Sequence, residues 1–280
     1  MPARRLAPVR LAPVRLASVR LAVARLAIVT ALALGGVAGC GGGGRPTLIV
    51  SAASSLTRAL SRYGHEFPAA RVRLSFGGSD ALAAQIREGV RPDVFAAANT
   101  MLPDALYVQG LVERPVVFAG NRLVLAVPAG SGKVMGLADL ARPGVTVAIG
   151  AGGVPVGSYT LALLGRLAPA QKAAILANVR TEEPDVTGIV GKLVNGAVDA
   201  GFLYATDVAA ADGRLRAIEL PARLLPKVAY GAAVVRGAPH PVQARAFVRG
   251  LVHGAGAREL HAAGFLPAPA NRRSPLGAKP

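Results

Sequence analysis

The amino-acid sequence predicts an α/β protein with mainly parallel sheets, and three observations support that prediction. From residue 45 onward, short runs of β-branched and apolar residues alternate with segments whose apolar residues recur at helical spacing. Hydrophobic residues make up 52% of the chain and aromatic residues only 4%, which suits helices packed closely on a buried sheet. The 280 residues are also enough for two lobes with substantial cores.

The first predicted strand leads directly into a helix. Residues 48–50 are apolar and mostly β-branched, and Leu56, Ala59 and Tyr63 then recur at helical spacing, so the helix is expected to begin near Ser54 and Ser55. A serine at this position is an ordinary N-cap. The same free N–H groups, aided by the helix dipole, can instead hold an oxyanion.

Three further junctions of this kind follow along the chain. A strand at 72–76 leads through two glycines to a helix that opens at Ser79, and a strand at 145–149 leads through the glycine-rich segment 150–159 to another helix. The segment 184–187 opens a fourth helix, which is expected to end near residue 195, before a strand at 200–204. Four helix starts approached by small residues favour a site for a compact anion over four unrelated caps.

Two strands are expected to carry the chain between the lobes. The apolar runs at 122–128 and 228–235 suit such crossings, while a strand at 92–99 and a short helix at 101–110 belong to the first lobe. We therefore predict one lobe from 47–125 plus 235–267 and a second from 126–234. The segment 268–280 has no periodicity and is predicted to be disordered.

The N-terminal segment has the features of an export signal. Residues 1–25 repeat a short basic unit, and 26–38 are uncharged and mostly apolar, too short a run to span a bilayer comfortably. Small residues then precede Cys40, the chain's one cysteine, and this ending resembles the lipobox of bacterial lipoproteins. The resemblance implies a signal peptide at 1–40, lipidation of Cys40, and a glycine-rich tether at 41–46. The mature protein is then exported, and either anchored to the outer face of the cytoplasmic membrane or periplasmic.

The net charge of +17 raises the question of nucleic-acid binding. Six arginines lie in the first 40 residues, and no acidic residue occurs before Glu66. The remaining arginines are scattered singly, without the aromatic residues that would make a basic stripe a nucleic-acid surface. We expect no nucleic-acid partner.

Motifs for catalysis and cofactors are incomplete. The segment 130–133 resembles part of a phosphate-binding loop, but Val134 replaces the required serine or threonine, and the glycines of 150–157 do not fit the dinucleotide pattern. The four histidines lack metal spacing, and His253 and His261 are expected on one helix but out of phase. No serine lies in a nucleophile elbow. The chain is therefore predicted to be neither an enzyme nor a cofactor protein.

Five segments together resemble the molybdate-binding proteins of bacterial ABC importers. They are 52–57 (Ala-Ala-Ser-Ser-Leu-Thr), 76–86 (Phe-Gly-Gly-Ser-Asp-Ala-Leu-Ala-Ala-Gln-Ile), 91–95 (Arg-Pro-Asp-Val-Phe), 154–159 (Val-Pro-Val-Gly-Ser-Tyr) and 201–207 (Gly-Phe-Leu-Tyr-Ala-Thr-Asp). The resemblance implies a two-lobed periplasmic-binding-protein fold of type II, with the ligand in the cleft between the lobes. It also implies capture of molybdate and tungstate, and delivery to a membrane permease with its ATPase by a protein expected to be a monomer.

The same resemblance assigns five residues to the oxyanion. Ser55 and Ser79 are expected to donate from hydroxyl and backbone N–H, Val156 and Val186 from backbone N–H, and Tyr204 from its phenol hydroxyl. Molybdate or tungstate would be held through this set, with no other metal and no cofactor.

The ligand's protonation explains why such a set suits molybdate. Molybdate and sulfate are fully ionised near neutral pH and only accept hydrogen bonds, whereas phosphate keeps a proton and wants an acceptor. Asp80 stands where the family more usually has a neutral small residue. Because its carboxylate could accept the proton of phosphate, phosphate binding remains an alternative. One alternative is a binding protein for sulfate or phosphate. The other is an α/β enzyme that acts on a phosphate-bearing substrate, with Tyr159 or Tyr204 as general acid.

Overall fold

A computed structural model of the chain describes residues 45–269. The predicted signal peptide, Cys40, most of the tether and the end of the predicted tail lie outside these residues. Ten strands and nine α-helices are described within this range. The strands are β1 (Thr47–Ala53), β2 (Arg71–Gly77), β3 (Val94–Ala97), β4 (Val116–Asn121), β5 (Leu123–Pro128), β6 (Val147–Gly150), β7 (Val179–Glu183), β8 (Ala200–Tyr204), β9 (Leu215–Ile218) and β10 (Val228–Val234).

The helices follow the predicted junctions closely. They are α1 (Thr57–Glu66), α2 (Ser79–Arg87), α3 (Met101–Val108), α4 (Pro155–Leu164), α5 (Pro169–Ala177), α6 (Val186–Val194), α7 (Ala205–Ala210), α8 (Pro241–Val252) and α9 (Ala255–Ala262). A 3-10 turn at Ser54–Leu56 precedes α1, so the predicted helix start near Ser54 is confirmed. None of the helices within 45–269 is long and apolar enough to cross a membrane.

The first sheet has the strand order β2-β1-β3-β10-β4. β1 pairs in parallel with β2 and β3, and β10 pairs antiparallel with β3 and β4. Four strands therefore run in one direction and β10 runs against them. Helices α1, α8 and α9 pack together beside this sheet, and α2 packs with α3. We call this sheet with its five helices lobe 1.

The second sheet repeats this plan. Its order is β7-β6-β8-β5-β9, with β6 parallel to β7 and β8, and β5 antiparallel to β8 and β9. Helices α4, α6 and α7 pack against it, and α5 packs against a 3-10 helix at Leu137–Ala141. The sheet and these four helices form lobe 2. In each lobe the reversed strand is the one that enters from the other lobe, since β5 follows β4 directly and β10 follows β9.

The chain crosses between the two lobes at earlier sequence positions than predicted. β4 ends at Asn121 and β5 begins at Leu123, and the return crossing lies between Ile218 and Val228. The predicted boundary at 125/126 falls inside β5, and β10 pairs in lobe 1 although the predicted lobe 126–234 included it. An apolar run marks a strand but does not specify the sheet with which it pairs.

The last two helices correct another prediction. α8 ends at Val252, and α9 begins at Ala255 after Gly254, whose φ of 157° turns the chain. His253 and His261 therefore do not share one helix. The small glycine lets the chain make this turn.

Candidate functional site

All four predicted helix starts meet at one cavity between the lobes. Its empty volume is about 200 Å³, part of which opens to solvent. It is lined by Ala53, Ser54, Ser55, Gly77, Gly78, Ser79, Ala98, Val154, Pro155, Val156, Asp185, Val186 and Tyr204. All five residues that the sequence assigned to the oxyanion lie in this wall. Their binding role stays a prediction, but the structure brings them together.

Ser79 is the first residue of α2 and is almost fully buried. Its Oγ accepts a hydrogen bond from the Ala98 N–H at 3.1 Å. Since that bond uses a lone pair of the oxygen, the hydroxyl hydrogen remains to be donated. The N–H of Ser79 lies in the first turn, where it has no partner within the helix.

Val156 supplies the first N–H of α4. The helix begins with Pro155, which has no N–H, and its N-cap residue Val154 makes no side-chain capping bond. The backbone donor at Val156 therefore has no partner within the helix and lies at the cavity wall. A valine serves here as well as an alanine because only its backbone is used.

Val186 is the first residue of α6, and Asp185 is its N-cap. The Asp185 carboxylate accepts from the N–H groups of Thr187 at 2.7 Å and Gly188 at 3.2 Å. The cap therefore occupies the second and third N–H groups of the helix and leaves that of Val186 available. This cap also directs the one wall carboxylate toward its own helix.

The hydroxyl of Tyr204 is buried and has no hydrogen-bond partner among the described residues. Burial raises the pKa of Tyr204 well above its usual range, and the neighbouring Tyr230, Tyr159 and Asp207 add to the rise. The phenol therefore remains protonated. A buried donor without a partner, in the wall of a cavity, is a group that a bound acceptor would satisfy.

Ser55 lies against a polar pair that the sequence did not predict. Its Oγ is 2.9 Å from the Tyr230 hydroxyl, and Asn121 Nδ2 lies 3.4 Å from the same hydroxyl. Tyr230 is a buried residue of β10 and Asn121 ends β4. Both residues are distant in sequence from the predicted motifs. The sequence offered one sign of this contact, the polar Asn121 at the end of a strand beside the crossing between the lobes.

The lobes touch directly beside the cavity. A Cβ on Gly78 of lobe 1 would overlap the carbonyl oxygen of Pro184 in lobe 2. Asn121 Nδ2 also donates to Thr206 Oγ1 at 2.8 Å across the lobes. A glycine at 78 is therefore required for this close approach, because any side chain would hold the lobes apart.

Asp80, the residue that made phosphate binding an alternative, is not among the residues that line the cavity. Its Oδ1 is buried without a partner in the described part of the chain, and its Oδ2 lies 3.4 Å from the position of a Cβ on Gly153. The carboxylate therefore lies at the seam between the lobes, beside the site. No lysine or arginine occurs among the described lining residues either, so the favourable electrostatics come from helix starts and hydroxyls.

The structure gives no metal cage in this region. Within 45–269, no group of three or more His, Cys, Asp and Glu side chains is arranged to hold a metal ion. Apart from the Asp185 carboxylate, which caps α6, the described wall consists of donors and small apolar residues. Its chemistry fits an acceptor-only anion.

A two-lobed α/β fold with a donor-lined cavity between its lobes is the architecture of solute-binding proteins, and the comparisons with known proteins agree. The model of the bacterial extracellular solute-binding protein family matches residues 48–266. The chain is 32% identical over 254 residues to the molybdate-binding protein ModA of Mycobacterium tuberculosis, which covers 85% of this chain and 95% of that protein. The same figures hold for ModA of Mycobacterium bovis. The chain belongs to the bacterial extracellular solute-binding proteins, as the sequence predicted.

Solved structures agree on the fold. The periplasmic molybdate-binding protein of Azotobacter vinelandii aligns with a TM-score of 0.71 at 22% identity, over 79% of this chain and 100% of that one. The sulfate-binding protein SubI of Mycobacterium tuberculosis aligns with a TM-score of 0.70 at 18% identity, over 79% and 87%. The predicted two-lobed type II fold is confirmed.

The buried carboxyl of Asp207 is expected to make the free energy of unfolding depend on pH. Burial raises the pKa of this carboxyl to about 7. The hydrogen bond that it accepts from the Tyr204 N–H at 3.0 Å lowers the pKa but does not cancel the effect of burial. A pKa raised above the unfolded value near 3.8 favours the protonated, folded form, so the contribution is complete below about pH 4 and lost as pH rises through 7. The loss is on the order of 4 kcal/mol. Urea unfolding between pH 4 and 8 measures it.

Asp207→Asn is the control for this titration, because it keeps the shape and the acceptor but does not ionise. The variant should unfold with a free energy that no longer falls over this pH range. An unchanged pH dependence would contradict the assignment to Asp207.

Tyr204→Phe is expected to raise the free energy of unfolding by about 1 kcal/mol in the absence of an oxyanion, because the lost hydroxyl is buried without a partner among the described residues. Tyr63→Phe is the matched comparison. The Tyr63 hydroxyl donates to the Phe247 carbonyl at 3.1 Å, and its loss should cost about 1 kcal/mol. Equal losses in urea unfolding would mean that the Tyr204 hydroxyl is partnered in the free protein.

Proposed function

We propose that the protein captures molybdate, and tungstate with it, outside the cytoplasmic membrane and delivers it to the permease and ATPase of an ABC importer. The observation that supports this most is the cavity itself. Donors from four helix starts and one buried phenol line a single small space between two lobes. The relatives named as molybdate-binding proteins support molybdate as the ligand.

The donor set suits a fully ionised tetrahedral anion. Charge-assisted hydrogen bonds contribute about 1.5 to 3 kcal/mol each, and each helix start adds roughly 0.3 to 1 kcal/mol. The predicted set of five residues therefore gives on the order of 10 kcal/mol before the costs of ordering and association. Binding at micromolar concentration or below is consistent with that sum.

Phosphate fits this wall less well than molybdate or sulfate. At neutral pH it carries a proton, and that proton needs an acceptor within the site. The Asp185 carboxylate already caps its own helix through Oδ1, which leaves only its Oδ2 in the wall for that proton, and Asp80 lies outside the wall. Sulfate remains the closer competitor, and the size of the cavity is what would separate it from the larger molybdate.

Solute binding is also better supported than catalysis. A general acid at neutral pH needs a pKa near that pH. Burial raises the pKa of both Tyr159 and Tyr204, away from neutrality, so each phenol suits hydrogen-bond donation more than proton transfer. Tyr159 packs edge-on against Tyr204, with ring centroids 6.4 Å apart. We therefore propose a binding protein without catalytic activity or a cofactor, in which molybdate is the cargo.

Ser55→Ala and Ser79→Ala are each expected to weaken molybdate binding by about 1 to 3 kcal/mol, because each removes a donor to a buried charge. Each variant should also lose about 1 kcal/mol of folding stability, because the Tyr230 hydroxyl or the Ala98 N–H loses its acceptor. Titration calorimetry on the purified protein measures the affinity. Molybdate and tungstate should also raise the unfolding midpoint by several degrees when present far above the dissociation constant.

Sulfate, phosphate and ADP serve as the comparison ligands in the same thermal screen. Stabilisation by molybdate and tungstate alone supports the proposal. Stabilisation by phosphate alone would favour Asp80 as an acceptor, and stabilisation by ADP alone would favour an enzyme. An unchanged molybdate affinity in either serine variant would remove that serine from the site.

Export and lipid anchoring complete the proposal. The basic repeats, the apolar segment and the small residues before Cys40 support a lipoprotein signal, and a monomer suits docking to a permease. Cys40→Ala is expected to move the protein from the membrane fraction to the soluble fraction, because no lipid can then be attached. Fractionation followed by immunoblotting measures the distribution, with the wild-type chain as control. A variant that stays in the membrane fraction would contradict anchoring through Cys40.

A further inference from the structure

The orientation of the Asn121 amide is determined by its neighbours. Its Oδ1 accepts from the Arg122 N–H at 2.8 Å, and a backbone N–H can only donate. The oxygen of the amide therefore faces Arg122, and Nδ2 faces Thr206 and Tyr230. Asn121 is thus a donor toward the Tyr230 hydroxyl.

Tyr230 has one acceptor for its hydroxyl hydrogen among its described hydrogen-bond partners. The hydroxyl is fully buried, and its two partners are Asn121 Nδ2, which only donates, and Ser55 Oγ at 2.9 Å. Burial raises the pKa of Tyr230 well above its usual range, so the hydrogen stays on the phenol. It must therefore be donated to Ser55, since a buried hydroxyl hydrogen without an acceptor is costly.

We propose that Asn121 and Tyr230 are positioning residues that turn the Ser55 hydroxyl into an obligate donor toward the oxyanion. We call the chain Asn121, Tyr230 and Ser55 the hydroxyl relay. Because Ser55 Oγ accepts from Tyr230, its own hydrogen points into the cavity that Ser55 lines. Successive hydrogen bonds of one direction also strengthen one another. The inference rests on the proposed function, since it concerns the same anion.

The hydroxyl relay begins at the crossing between the lobes. Asn121 ends β4, the next strand begins two residues later in lobe 2, and the amide also donates to Thr206 of that lobe. The group that orients a ligand donor is therefore held by both lobes. Ser79 reaches the same donor state by a separate route, because its Oγ accepts from the Ala98 N–H. The two serines can thus be varied independently.

The test is a double-mutant cycle on the full-length chain, with molybdate as the titrant in calorimetry. Tyr230→Phe should weaken binding by about fivefold to tenfold, because Ser55 loses the bond that orients it. In the Ser55→Ala background the same change should have no further effect. In the Ser79→Ala background it should keep its full effect, since Ser79 lies outside the hydroxyl relay.

Tyr63→Phe is the matched control. It removes another buried tyrosine hydroxyl from lobe 1, bonded to the Phe247 carbonyl, with no route to the cavity. It should leave the molybdate affinity unchanged. Asn121→Ala gives a second probe, and its smaller loss of affinity should also vanish in the Ser55→Ala background. This probe remains informative if Tyr230→Phe does not fold.

The outcomes separate the hydroxyl relay from the proposed function. Wild-type affinity in Tyr230→Phe, or an equal loss with and without Ser55, would overturn the relay while leaving molybdate capture standing. A wild-type chain that binds none of molybdate, tungstate and sulfate would overturn both. A loss that depends on Ser55 and not on Ser79 supports the relay, because a general loosening of the lobes would affect both backgrounds alike.

Discussion

An excess of hydrogen-bond donors at one point between the lobes is the constraint on which the rest of the structure depends. Helix starts carry N–H groups without partners, and a fold normally exposes them to water or caps them. Here the starts of the helices at Ser54, Ser79, Pro155 and Val186 face one cavity, with the unpartnered Tyr204 hydroxyl. An acceptor-only anion can satisfy all of these groups together, which makes ligand and fold complementary.

The two sheets explain how so many helix starts can converge. In each lobe, parallel strands lead into helices at the same sheet edge, so the helix starts of one lobe lie near one another. The two lobes face each other across one cavity, which brings both groups of helix starts together. Close approach requires small residues there, and Gly78 against the Pro184 carbonyl is the clearest case.

Net charge has little part in this site. The chain carries a formal charge of +17, but none of the described residues that line the cavity is a lysine or arginine. Dipoles and hydroxyls that are already oriented bind a compact anion with less reorganisation than long flexible cations would need. The two N–H groups that donate to Asp185 Oδ1 at the start of α6 offset part of its negative charge, and Asp80 lies at the seam between the lobes rather than in the cavity wall.

Local sequence was sufficient to predict the alternation of strands and helices, the four helix starts and, through family resemblance, the five residues that meet at the cavity. These features depend on periodicity and capping within a few residues. The sheet that each crossing strand joins, the break between α8 and α9, and the contact of Ser55 with Tyr230 were not predictable in this way. Ser55 and Tyr230 are 175 positions apart, and only the packing of β10 beside β3 and β4 brings their hydroxyls together. The direction of a hydroxyl hydrogen depends on every neighbour in space, so tertiary structure alone decides it.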